Sequence, residues 1–193
     1  MDIGETLYVN NREEWRAWLS KHHKTAKEIW LIYYNKQSGK KRIPYDDAVE
    51  EALCFGWIDS TVKKLEKDSS VQRFTPRRIN SQLSEMNKER VKRLIKAGKM
   101  TKAGLESIKH HIEKKSDTSS DIKLKEFSIP KDIIKEIKKD KETWENYLKL
   151  PEHYKRIRIA YIDGARKRQE EFKKRLNYFI KMTSKNKKFG MIK

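Results

Sequence analysis

The sequence predicts an α+β fold, with a small antiparallel sheet of about 3–4 strands packed by helices and an all-helical C-terminal part after it. Three observations carry this. The β-branched and aromatic runs "IWLIYY", "WIDSTV" and "VQRFT" all fall before Pro76. Apolar residues beyond that point recur at spacings of three and four, the helical period. The segment "KKSDTSSDIKLKEFS", polar and serine-rich over its first half, divides an N-terminal α+β part from a C-terminal helical part. The expected organisation is an α+β domain over 1–113, a linker over 114–129 and a helical region over 130–193.

Each element has its own signal. "TLYV" reads as a short strand, followed by a helix that Asn10 or Asn11 caps, with Glu13 and Glu14 in its first turn and Trp15, Trp18 and Leu19 on one face. "IWLIYY" is a central strand stopped by the turn around Gly39. "IPYDDAVEEALCFG" carries Pro44 at its start and Gly56 where a left-handed cap falls, marking a helix. "WIDSTVKKL" and "VQRFT" flank the polar turn "EKDSS" and read as a hairpin that Pro76 ends. A helix then carries Leu83, Met86, Leu94 and Ile95 on one face, with Lys88, Lys92, Lys96 and Lys99 as a basic stripe. Thr101 caps the next helix, expected to run through "KAGLESIKHHIEKK". Two short helices follow from Pro130, a third begins at Pro151 and is bent or broken at Gly164, and the last spans "ARKRQEEFKKRLNYFIKM" with Ala165, Phe172, Leu176 and Phe179 inward. The tail keeps only what Phe189, Met191 and Ile192 touch.

Composition narrows the class. The chain is 36% hydrophobic and 39% charged, yet five Trp, eight Tyr and six Phe are too many for disorder. The single Cys54 excludes an intramolecular disulfide, fits a reducing compartment and sits on an apolar helix stripe as a buried thiol. No leader pattern and no long apolar run appear, so a soluble, cytoplasmic protein without integral membrane insertion is expected. The formal net charge is +19, and residues 73–99 and 166–193 supply +7 and +9 of it. Of thirteen arginines, five lie between Arg73 and Arg93 and five between Arg156 and Arg175. Arginine suits forked capture of phosphate or carboxylate.

The nucleotide-binding, zinc-protease and serine-nucleophile signatures are absent, so no catalytic residue and no cofactor is assigned. The histidine pairs His22-His23 and His110-His111 point about 100° apart on a helix and do not make the i,i+4 clamp of a metal site, so no metal is expected. The acids Asp46, Asp47, Glu50 and Glu51 read as a solvated helix start favoured by the helix dipole. Asp59 has two readings: it orients a bound group, or it pairs with Arg73, Arg77 or a backbone donor.

Together "YDDAVEEALCFGWIDS", "QRFTPRR" and "NKERVKRLIKAGKMTKAGL" resemble the YdeI/OmpD-associated family, the bacteriocin-protection proteins, over about residues 6–112, and the helical remainder resembles that family's C-terminal region more loosely. The resemblance implies a role in stress or resistance to bacteriocins or antimicrobial peptides and supplies no catalytic residues. Where the family pattern has tryptophan, this chain has Leu83. A net charge of +19 repels cationic peptides, which argues against their direct capture.

The first functional expectation is therefore a non-enzymatic protein whose basic faces bind an anionic partner, most simply DNA or RNA. Arg73, Arg77, Arg78, Arg90, Arg93, Arg166, Arg168 and Arg175 would contact phosphates, with Trp57 or Phe74 as a stacking face. The alternative is a small-molecule or enzyme site where Asp59, Arg73 and Arg77 meet around an anionic ligand.

Overall fold

Why β-rich and helix-rich sequence separate so cleanly is visible in a computed structural model of the chain, which describes residues 2–114 and 122–190. It divides into two units, one of Met1–Gln82 and Arg90–Leu124, the other of Leu83–Glu89 and Lys125–Lys193.

The first unit begins β1 (Thr6–Leu7), α1 (Arg12–His22), β2 (Ile29–Tyr34), α2 (Tyr45–Cys54), β3 (Trp57–Lys64) and β4 (Ser69–Pro76). The strands form one sheet in the order β1-β2-β4-β3. The pairs β2–β4 and β3–β4 are antiparallel as expected, but β1 runs parallel to β2 because α1 is the crossover between them. Register sorts the side chains. Ile29 faces Phe74 and Leu31 faces Gln72, so these share one surface, while Trp30 and Arg73 share the opposite one. On the Phe74 surface α1 delivers Trp15, its ring 5.4 Å from Phe74, and Trp18, 5.7 Å from Trp57. The Trp15 indole donates to Ala48 O of α2 at 3.0 Å, locking the two helices together. On β3 the register shifts between Asp59 and Val62, a bulge that leaves Val62 60% exposed.

The end of α2 explains "CFGWIDS". Gly56 has φ +77, a conformation natural only to glycine, and it turns the chain straight from helix into β3. The carbonyl of Cys54 accepts from both Thr101 N (3.1 Å) and Thr101 Oγ1 (2.6 Å). Cys54 itself is fully buried, and burial pushes its thiol up to about 11, with the Glu51 charge adding to the effect. A thiol reagent at pH 8 is accordingly expected to label the native protein negligibly and to label it fully in denaturant; rapid native labelling would contradict the buried thiol.

The chain continues through α3 (Glu85–Lys96), whose buried residues include Asn87, Arg90, Val91 and Leu94; Met86 and Ile95, expected inward, are only partly covered. Lys88, expected in the basic stripe, pairs with Glu85 at 2.5 Å. Next comes α4 (Lys102–Ser107), capped by Thr101 as its sequence predicts. The longer helix expected here stops at Ser107, whose hydroxyl turns back to Gly104 O at 2.7 Å. Beyond a short 3-10 turn, β5 (Ile112–Lys114) pairs with β6 (Lys123–Leu124). Thus part of the segment expected as a linker is strand, and residues 115–121 of it lie outside the described residues.

The second unit is helical: α5 (Lys131–Ile137), α6 (Lys141–Lys149), α7 (Glu152–Asp163) and α8 (Gln169–Ser184) follow the first turns of α3. Pro130 and Pro151 precede α5 and α7, and Asp140 caps α6 by accepting from Thr143 N at 2.7 Å. Ile133, Ile137, Tyr147, Tyr154, Ile159 and Phe179 form the centre of its core. Gly164 ends α7, and α8 starts at Gln169 rather than Ala165, although Ala165 is fully buried. Phe189 is held through its backbone, N donating to the Tyr154 hydroxyl at 2.9 Å, while Met191 and Ile192 lie outside the described residues.

Candidate functional site

The Asp59/Arg73/Arg77 junction does not assemble. Asp59 stands opposite Phe74, so its side chain emerges on the Phe74 surface; Arg73, one residue earlier on β4, emerges on the other. Asp59 Oδ2 instead accepts from the Tyr45 hydroxyl at 2.7 Å, and burial together with this bond raises the Tyr45 hydroxyl above its ordinary value. Arg73 Nε donates to Glu28 Oε2 at 2.8 Å, which holds the Glu28 carboxyl below the usual carboxylate range. Arg77 is buried and donates through Nη2 to Ser81 O and Gln82 O at 3.2 and 2.9 Å.

Neither expected stacking face is available. Trp57 is 1% exposed and donates to His23 O at 3.1 Å; Phe74 is completely buried under α1. Both are core because their positions on β3 and β4 point at the helices that close the sheet.

The acids of α2 are not a solvated helix start either. Arg12 on α1 reaches Asp47, Glu50 and Glu51 at 3.1, 2.6 and 2.7 Å, and Arg16 reaches Glu51 at 2.6 Å. From α3, Arg90 pairs with Asp46 at 2.5 Å and Arg93 with Glu50 at 3.0 Å. The spacing 46, 47, 50, 51 places four carboxylates along one side of α2, where arginines from two other helices can share them. Arg12 and Arg16 are the residues sequence reasoning missed, because their partners lie 35–39 positions away.

Of the eight arginines expected to meet an anion, five are therefore in ion pairs: Arg73, Arg90 and Arg93 as above, Arg166 with Asp132 and Asp163, and Arg175 with Glu171. Arg78 and Arg168 are exposed and carry no ion pair among the described residues.

In the second unit a groove of about 440 Å³ opens along α7 and α8, lined by Arg158, Tyr161, Ile162, Glu171, Lys174, Arg175, Tyr178 and Phe189. Glu171, Lys174, Arg175 and Tyr178 recur at helical spacing and so share one side of α8. Arg175 is the pivot: its guanidinium stacks 3.7 Å from the Tyr161 ring centre, Nη1 donates to Tyr161 O at 2.8 Å and Nε to Glu171 at 2.6 Å. Arg158 lies 4.2 Å over the Phe189 ring. Tyr161 and Tyr178 nevertheless remain 52% and 48% exposed. Lys174 is exposed and makes no ion pair among the described residues. Exposed aromatic faces beside cations, here Arg158, Lys174 and an Arg175 already paired with Glu171, can take up a flat, negatively charged ligand. Of this groove only Arg175 was expected from the sequence; the signal for the rest was the tyrosine one turn beyond it.

Against known families, residues 7–107 match the model described as a Domain of unknown function (DUF8412), and residues 126–186 match the model described as Bacteriocin-protection, YdeI or OmpD-Associated. The YdeI/OmpD-associated resemblance is thus found in the helical C-terminal region, while the three motifs that suggested it lie within the domain of unknown function. No curated protein and no solved structure matches the chain.

Proposed function

We propose, for a chain that belongs through residues 7–107 to the family described as a Domain of unknown function (DUF8412), that it is a binding protein whose YdeI/OmpD-associated region holds single-stranded nucleic acid along the α7–α8 groove. The observation that carries this reading is the pair of half-exposed rings, Tyr161 and Tyr178, in one groove with Arg158, Lys174 and Arg175. Bases stack on such rings whatever their sequence, and cations beside them neutralise phosphates and release counterions. The lone buried cysteine suits a cytoplasmic setting, and among the described residues no helix is long and apolar enough to cross a membrane. A protective role of the kind the matched family is named for would then run through an anionic partner, because a chain of net charge +19 repels cationic peptides.

Titration of labelled single-stranded DNA and RNA, read by fluorescence anisotropy, tests it. Engaging about three phosphates, one for each cation of the groove, weakens binding roughly twentyfold between 50 and 200 mM salt. Tyr178→Ala is expected to lower affinity about tenfold, the loss of one stacked base. Absence of binding at low salt, or binding that neither Tyr178→Ala nor Lys174→Ala reduces, overturns the groove as the site.

A further inference from the structure

Among the arginines of the first unit that are not exposed, all but one meet a carboxylate. Arg12, Arg16, Arg73 and Arg90 each do so. Arg77 is 7% exposed, yet its bonding partners are two neutral carbonyls, Ser81 O and Gln82 O. Its Nε and Nη1 are buried without a partner among the described residues, and so is the hydroxyl of Ser81, the residue it touches.

A guanidinium stays protonated in a protein, and removing it from water without a counter-charge is costly. Burial draws the Arg77 guanidinium below its ordinary value, as an uncompensated charge requires. A buried water would satisfy the donors but leave the charge unbalanced. The loop around it is fixed: Arg77 N donates to Gly56 O at 2.8 Å, Ser81 N to Arg78 O at 2.9 Å, and the His111 ring meets Ser81 O at 3.0 Å.

We propose that Arg77 and Ser81 form a buried site for a small oxyanion of the phosphate class, which accepts from the guanidinium and the serine hydroxyl and supplies the missing negative charge. The pairing follows from donor chemistry: the orphaned groups are N–H and O–H, and phosphate brings several acceptor oxygens together with negative charge. Free phosphate and the phosphate of a nucleotide share this chemistry. The site is separate from the α7–α8 groove and stands whether or not nucleic acid binds there.

The test is a titration of the full chain with inorganic phosphate, and separately with adenosine monophosphate, at constant ionic strength, following the arginine side-chain Nε–H resonances by NMR. Arg77→Lys assigns the resonance. The Arg77 signal is expected to move saturably with an apparent Kd in roughly the millimolar range or below. Ser81→Ala should weaken that response about tenfold through loss of one bond to a charged group, while Tyr178→Ala leaves it unchanged. Movement with inorganic phosphate assigns the free ion; movement with the nucleotide alone assigns a nucleotide phosphate. An Arg77 signal unmoved by either, or moved equally by chloride, overturns the site.

Discussion

Glu51→Ala is expected to destabilise the protein by about 3–5 kcal/mol, the cost of removing one member of a buried ion-paired cluster. Glu51 is 2% exposed and receives Arg12 Nε at 2.7 Å and Arg16 Nη1 at 2.6 Å, so its loss strips Arg12 of its most deeply buried partner and Arg16 of its only carboxylate among the described residues. Urea unfolding followed by tryptophan fluorescence reports it directly, since Trp15 and Trp18 stack 5.3 Å apart on the same helix. Glu51→Gln, which keeps an acceptor but not the charge, should cost less; a loss below about 1 kcal/mol for the alanine variant would place this cluster among ordinary surface pairs. Acid acts on the same cluster. Burial works to raise the Glu50 carboxyl, but hydrogen bonds from Arg12 and Arg93 outweigh it and hold the group below the usual range. Its contribution is therefore present above the unfolded value of about 4.3 and is lost as pH falls through the lower folded one.

Gly104→Ala is expected to destabilise by about 2–3 kcal/mol, although alanine is the better helix former by about 1 kcal/mol. A Cβ at Gly104 would meet backbone, 2.7 Å from Cys54 C and 2.9 Å from Leu53 O, with no flexible side chain to give way. Making room means lifting α4 from the end of α2 and stretching both bonds from Thr101 to the Cys54 carbonyl. Gly164→Ala is the control: its φ is −60° and the nearest atom outside its immediate neighbours, Ala160 O, lies 3.3 Å away. Thermal unfolding of the two variants should separate them by several degrees; equal midpoints would show that α4 yields freely.

What was legible in the sequence was local. Gly56, Thr101, Pro44 and the turn between β3 and β4 act through neighbours a few residues away, and each stands where its signal put it. Two-residue β1 carries too few positions to show an alternation, so its parallel pairing with β2 had no local mark. Ile112 lies at the end of a helical-looking stretch, and only pairing with Leu124 reveals it as strand. The arginines were misjudged for the same reason. Net charge sums over the chain, but whether Arg73 faces an anion depends on Glu28, 45 residues away and brought alongside only by the sheet. Trp57 and Phe74 show the complementary error: an aromatic next to basic residues reads as a stacking face until register turns it inward.

The bulge on β3 bears on how this protein behaves when crowded. Among the described residues the sheet ends at β1 and β3, and an open strand margin is a template on which another chain can add. At one margin β1 offers only two residues; at the other the shift between Asp59 and Val62 interrupts the ladder, and Lys63 and Lys64 complete the strand with positive charge. Neither margin presents a long, flat, uncharged run. Both margins therefore work against edge-to-edge growth, and the exposed Val62 stands beside the interrupted ladder and the charges of Lys63 and Lys64 rather than in a flat apolar run.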